Sequence, residues 1–150
     1  LAPAELFDHA SRTWSPTGSL SQPRNAYAAA QLADGRVLAV GGTDGAHALA
    51  TTELYDPVAG SWSLTGGLRQ ARDFHSATVL PNGRVLVAGG IDATDLFVSE
   101  VYDPHIGSWT QVGSLGQMRE QHTATLLSDG RVLVAGGLGR GILSYTELFH

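Results

Sequence analysis

Short apolar runs alternate with glycine-bearing turns along the chain, and the runs fall into four recurrent kinds. The segment HSATVL (75–80) is a brief β-prone run, closed by the turn Pro81-Asn82-Gly83. RVLVAG (84–89) is almost continuously apolar, the pattern of a strand covered on both faces. Gly89-Gly90 ends it, because paired glycines open backbone geometry that a Cβ blocks. After a variable loop, SEVYD (99–103) predicts a third strand, and Asp103-Pro104 opens a turn. SWTQVG (108–113) predicts a fourth. The first and second strands, and the third and fourth, are joined by connections of hairpin length. No stretch carries a helical period of useful length.

This unit repeats. DGRVLAVGG (34–42) returns as NGRVLVAGG (82–90) and DGRVLVAGG (129–137), which places Gly35, Gly83 and Gly130 at steps of 48 and 47. Trp14, Trp62 and Trp109 keep the same spacing, and so do Arg24, Arg72 and Arg119. A glutamate recurs at Glu5, Glu53, Glu100 and Glu147. Four residue types in one register define a structural repeat of about 47 residues.

A four-stranded unit with a double glycine and a late tryptophan resembles the blade of the Kelch family of β-propellers. The resemblance rests on Gly41-Gly42, Gly89-Gly90 and Gly136-Gly137, and on Glu53-Leu54-Tyr55-Asp56 and Glu100-Val101-Tyr102-Asp103. A tryptophan follows each aspartate by six residues, and the first unit keeps the pattern as Glu5-Leu6-Phe7-Asp8 with Trp14. It implies an all-β fold of four-stranded antiparallel blades, with strands a to d counted outward. One unit of organisation covers residues 1–150: strands c–d in 1–18, full blades in 19–66 and 67–113, and a–b–c in 114–150. Inner strands are expected near 26–32, 74–80 and 121–127.

Three blades do not close a ring, since propellers use four to eight. Two copies supply six a, six b and six d strands with two spare c strands, so a six-bladed homodimer is expected. In each composite blade residues 1–8 and 143–150 compete for one c position. Pro3 weakens the N-terminal copy by removing a ladder donor, which favours the C-terminal one. With no initial methionine and no signal-like segment, Leu1 is expected to mark a trimmed or excised boundary. A longer propeller is the alternative source of the missing blades.

Composition narrows the partners. The net charge is −5 and all nine basic residues are arginines, which argues against a nucleic-acid surface. No apolar run approaches the ~20 residues of a membrane helix. The absence of cysteine removes disulfides, thiolate nucleophiles and thiolate metal ligands.

The repeated side chains read as structure. Arg24, Arg72 and Arg119 with Glu53 and Glu100 suggest arginine–glutamate or arginine–backbone pairs, the alternative being an anion ring at one mouth of the channel. Trp14, Trp62 and Trp109 suggest blade packing. His75 and His122, with Tyr27 in the equivalent place, suggest packing between blades over a metal site. Function is expected where the repeats differ, in the b–c loops (43–50, 91–98, 138–144) and the d–a loops (19–25, 67–73, 114–120). That face carries Asp44, His47, Asp73, Asp92, Asp95, Glu120 and Arg140, a polar surface fitting a protein, a peptide or a glycan.

The leading expectation is a non-enzymatic binding scaffold with no catalytic, metal or cofactor residues. A second reading follows from the resemblance, because Kelch propellers occur in copper-radical oxidases similar to galactose oxidase. Their cofactor needs a cysteine cross-linked to tyrosine, which this chain does not supply. A third is a structural or engineered half-propeller building block. The GRVLVAGG style is also similar to bacterial Kelch proteins, many of them exported, which implies an extracellular setting.

Overall fold

The computed structural model describes residues 2–93 and 96–150 and contains strands, turns and loops without helix. Four antiparallel sheets follow one another along the chain. β1 (Ala4–Asp8) pairs with β2 (Thr13–Thr17) as a two-stranded sheet. β3 (Ala28–Gln31), β4 (Val37–Val40), β5 (Thr52–Asp56) and β6 (Ser61–Thr65) form a sheet in sequence order. β7 (Ser76–Val79), β8 (Val85–Ala88), β9 (Val98–Asp103) and β10 (Ser108–Ser114) repeat it. β11 (Thr123–Leu126), β12 (Val132–Ala135) and β13 (Thr146–Phe149) make the last, three-stranded sheet. Both competing c strands are thus paired within the chain, β1 with β2 and β13 with β12.

The second strand of each sheet is the buried one. Successive side chains point to opposite faces, so β8 sends Val85 and Val87 into the cluster with Leu38, Val40, Leu54 and Leu68. Leu86 points the other way, to Val132 and Val134. A strand apolar at every position is what a sheet sandwiched between two others requires. The register is held by matching pairs, such as Tyr55 opposite Trp62 and Tyr102 opposite Trp109.

A second device links the sheets. Thr17 Oγ1 meets the Tyr55 hydroxyl at 2.6 Å, and Thr65 Oγ1 meets that of Tyr102 at 2.7 Å. At the third junction Val112 and Phe149 occupy the corresponding places and pack on one apolar cluster. Both polar partners have been replaced together, which avoids leaving one hydroxyl buried alone.

Candidate functional site

Each repeated arginine reaches from the loop before the inner strand across the end of its own sheet. Arg72 Nη1 donates to the carbonyls of Gly89 (2.9 Å) and Val98 (2.7 Å), and Nη2 donates to Glu100 Oε1 at 2.8 Å. Glu100 Oε2 accepts the Arg69 N–H at 2.8 Å. Arg24 repeats this with Gly41, Thr51 and Glu53, whose second oxygen accepts the Ser21 N–H. Arg119 repeats it with Gly136, Tyr145 and Glu147, which also accepts the Gly116 N–H. The pair thereby ties the d–a loop to the ends of strands b and c. Glu5, on β1, is exposed and has no arginine partner among the described residues.

Burial sets the electrostatics. It pushes the Glu53 carboxyl up, but hydrogen bonds from Ser21 and Arg24 outweigh it and leave the group below the ordinary carboxylate value. Burial lowers Arg72, and Glu100 opposes that shift. A buried pair of this kind is satisfied only as a unit.

The double glycines are fixed by close approach. Gly90 has φ of +97°, and a Cβ there would lie 2.6 Å from the Asp73 carbonyl oxygen. Gly89 faces the edge of the His122 ring, so its bare Cα is the seat of an imidazole. Gly41 offers the same seat to His75. His122 Nε2 lies 2.8 Å from Ser76 Oγ of the preceding sheet. His75 has Ala28 in the corresponding place, and both its ring nitrogens are buried without a partner. Burial, with Arg72 and His122 nearby, drives the His75 pKa down to about 3. Burial and Arg119 take His122 to about 4. Both imidazoles are neutral wedges between sheets at neutral pH.

The double glycine, the glutamate of strand c and the tryptophan of strand d therefore form one architectural unit, and the Kelch motif matches residues 24–68 and 74–116, more than half of the chain. The chain belongs to the Kelch repeat family. No curated protein matches it significantly.

In each Kelch unit the antiparallel order puts the b–c and d–a loops at one end of the sheet and the a–b and c–d turns at the other. At the first end, Asp44 is exposed and folds its own loop, its carboxylate accepting the N–H groups of His47 and Ala46, which hold it below the usual range. His47 is exposed beside it. Asp73 is half-buried; burial raises its pKa, and the neighbouring charge of Asp92 adds to the rise. Glu120 bridges through its backbone to Leu138. Asp95 lies outside the described residues.

The same end carries a cavity of about 560 Å³ between the last two Kelch sheets. Phe97, Leu115, Met118 and Leu143 supply its apolar wall, and among the described residues Arg140 is the one charged side chain on it. Only Arg140 was legible as a site residue in the sequence. The signal for two of the others is departure from the repeat: Phe97 stands where the preceding unit has Ala50, and Met118 where it has Ala71, whereas Leu115 and Leu143 repeat Leu68 and Leu96. Phe97 is 46% exposed, although Leu96 beside it is buried.

The tryptophans form a graded series. Trp109 is buried, stacks on Tyr102 with ring centroids 5.1 Å apart and donates to the Gly66 carbonyl at 2.8 Å. Trp62 is half-buried against Tyr55, while Trp14 rests on Phe7 and is 64% exposed. Among the described residues no three His, Asp or Glu side chains converge in a way that could hold a metal ion.

Proposed function

We propose that this Kelch protein is a non-catalytic interaction module whose b–c and d–a loop face holds a partner peptide segment. The observation that carries the reading is the cavity lined by Phe97, Leu115, Met118, Leu143 and Arg140. It lies on the loop face, where Phe97 and Met118 replace the alanines of the preceding unit and Phe97 stands exposed. Its chemistry favours an apolar side chain flanked by a carboxylate, the first on Phe97 and Met118 and the second on the Arg140 guanidinium. The repeated arginines, glutamates and histidines are consumed in closing and stacking the blades, which supports a structural role for them.

The test is selection from a random peptide library on immobilised protein. Enriched sequences are expected to pair an aliphatic or aromatic residue with Asp, Glu or a free C-terminus. Phe97→Asp and Arg140→Glu should each weaken capture at least ~10-fold, the loss of one good contact, while Val58→Asp at the far end should not. Enrichment indifferent to Phe97 and Arg140 contradicts the proposal.

A further inference from the structure

The a–b turns of the three Kelch sheets share one construction. Asp34, Asn82 and Asp129 hold the same place, and Oδ1 of each accepts the N–H of the arginine two residues on, at 3.1 Å every time. A glycine with positive φ stands between them: Gly35 (89°), Gly83 (79°) and Gly130 (88°). The arginine side chains then diverge. Arg36 Nε donates to Asp34 Oδ2 at 2.8 Å, and Arg131 Nε donates to Asp129 Oδ2 at 2.8 Å. Arg84 turns instead to Asp103 at the end of β9, with Nη2 at 2.8 Å and Nε at 3.1 Å from Oδ2.

Residue 82 sets that choice. The β3–β6 sheet has an aspartate in both places, Asp34 in the turn and Asp56 at the end of β5, and Arg36 pairs with Asp34. An amide offers a guanidinium no charge, so Arg84 takes the carboxylate on the neighbouring strand. Asn82 also carries chemistry that the aspartates share only weakly. It is exposed and precedes Gly83, around which the space that a Cβ would fill is open. A backbone nitrogen so unobstructed can reach the side-chain carbonyl carbon of the asparagine before it. The other asparagine of the chain, Asn25, precedes Ala26 and has its backbone N–H and carbonyl bonded to Thr43.

We propose that Asn82 is a self-modifying site, deamidated through attack by the Gly83 nitrogen, and that its aspartate product draws Arg84 away from Asp103. The Gly83 nitrogen gives its proton to solvent base and bonds to Asn82 Cγ. The Cγ–Nδ2 bond breaks, ammonia leaves and a succinimide ring remains. Water then opens the ring, giving aspartate by attack at Cγ and isoaspartate by attack at the backbone carbonyl carbon. The net change is amide and water to carboxylate and ammonium. In the closed turn the Gly83 N–H donates to the Leu80 carbonyl at 2.9 Å, so the reaction proceeds through brief openings of this exposed hairpin end. Asp34 and Asp129 react more slowly, because a carboxylate is a poor electrophile and theirs are held by arginine. The aspartate product makes the middle turn like its neighbours and adds a negative charge at the end of the sheets opposite the loop face. Asp103 keeps its bond from the His105 N–H (3.0 Å), while the tie from the a–b turn to the end of β9 is lost.

The test holds the native protein in mildly alkaline buffer and maps samples over time as tryptic peptides, residues 25–36 reporting Asn25 and residues 73–84 reporting Asn82. Asn82 is expected to convert to aspartate and isoaspartate while Asn25 stays intact. Asn82→Asp then isolates the product, and it keeps the fold because aspartate builds the other two turns. In that variant the Asp103 carboxyl, followed by carbon NMR, is expected to titrate at higher pH than in the parent, because the guanidinium has left it. Asn82→Ser, which can keep the turn bond without adding charge, should leave the Asp103 titration where it is. Loss of Asn82 no faster than loss of Asn25 overturns the proposal. An Asp103 titration unmoved by Asn82→Asp, or moved equally by Asn82→Ser, overturns it as well. Peptide capture is read through Phe97 and Arg140 at the opposite end, so failure here and failure of the binding face are distinguishable.

Discussion

Arg72 and Glu100 lie 2.8 Å apart with both side chains wholly excluded from water, 28 residues apart in sequence, one in the loop before β7 and the other on β9. The other hydrogen bonds of the pair go to backbone: the carbonyls of Gln70, Gly89 and Val98 accept from the arginine, and the N–H groups of Arg69 and Gln70 donate to the glutamate. The pair acts as an internal staple, holding the loop face to the sheet beneath it. Its energetic weight lies in being complete.

Removing one partner leaves the other charge buried and unpaired. Glu100→Leu is expected to destabilise by about 3–5 kcal/mol, whereas Arg72→Met with Glu100→Leu should lose markedly less. Urea midpoints at fixed protomer concentration measure both. A double variant as damaged as the sum of the singles contradicts the staple.

His75 lacks the hydroxyl that His122 receives from Ser76. Ala28→Ser places one at the corresponding point and should stabilise by about 1 kcal/mol, the net value of one hydrogen bond. The gain should vanish in a His75→Phe background. Calorimetry on the four proteins of this cycle decides it, and a gain that persists without His75 refutes the assignment.

Both histidines are neutral in the folded chain, at about 3 and about 4 against an ordinary value of 6.5. Below pH 6.5 the unfolded chain takes up their protons and the folded one does not. Stability therefore falls as pH drops from about 6.5 toward 4, by about 1.4 kcal/mol per unit for each histidine well inside the window. Glu53 loses its contribution only below the ordinary glutamate value, so its loss lies outside the interval from 6.5 to 4.5. His75→Gln with His122→Gln should flatten the profile there.

Loop and scaffold positions should separate cleanly. Asp92 is exposed, and Asp92→Ala should stay within about 0.5 kcal/mol. Trp109→Ala removes a buried indole and should cost about 3–5 kcal/mol. Gly90→Ala forces a Cβ against the Asp73 carbonyl and should also destabilise clearly. Thermal unfolding at one protein concentration ranks the three, and equal losses at Asp92 and Trp109 count against the placement of the loop.

The strands were legible because one register governs four residue types; SATV at β7 and VLVA at β8 carry in miniature the pattern of the whole chain. Repetition also pointed from Arg72 to Glu100, whose spacing places both at one end of a sheet. The cavity was not legible, because Phe97 and Leu143 line it from two different units and apolar loop residues look like core in a sequence. Nor was the left-handed turn at Ala26, Phe74 and Gln121: no glycine announces it, and only the bond to the neighbouring sheet explains it.

The loop-face cavity carries the central claim, and titration of a selected peptide tests it most directly. Calorimetry with the best library peptide should show one saturable site that Phe97→Asp and Arg140→Glu each weaken at least ~10-fold. Binding of equal strength in the parent and in both variants contradicts the account.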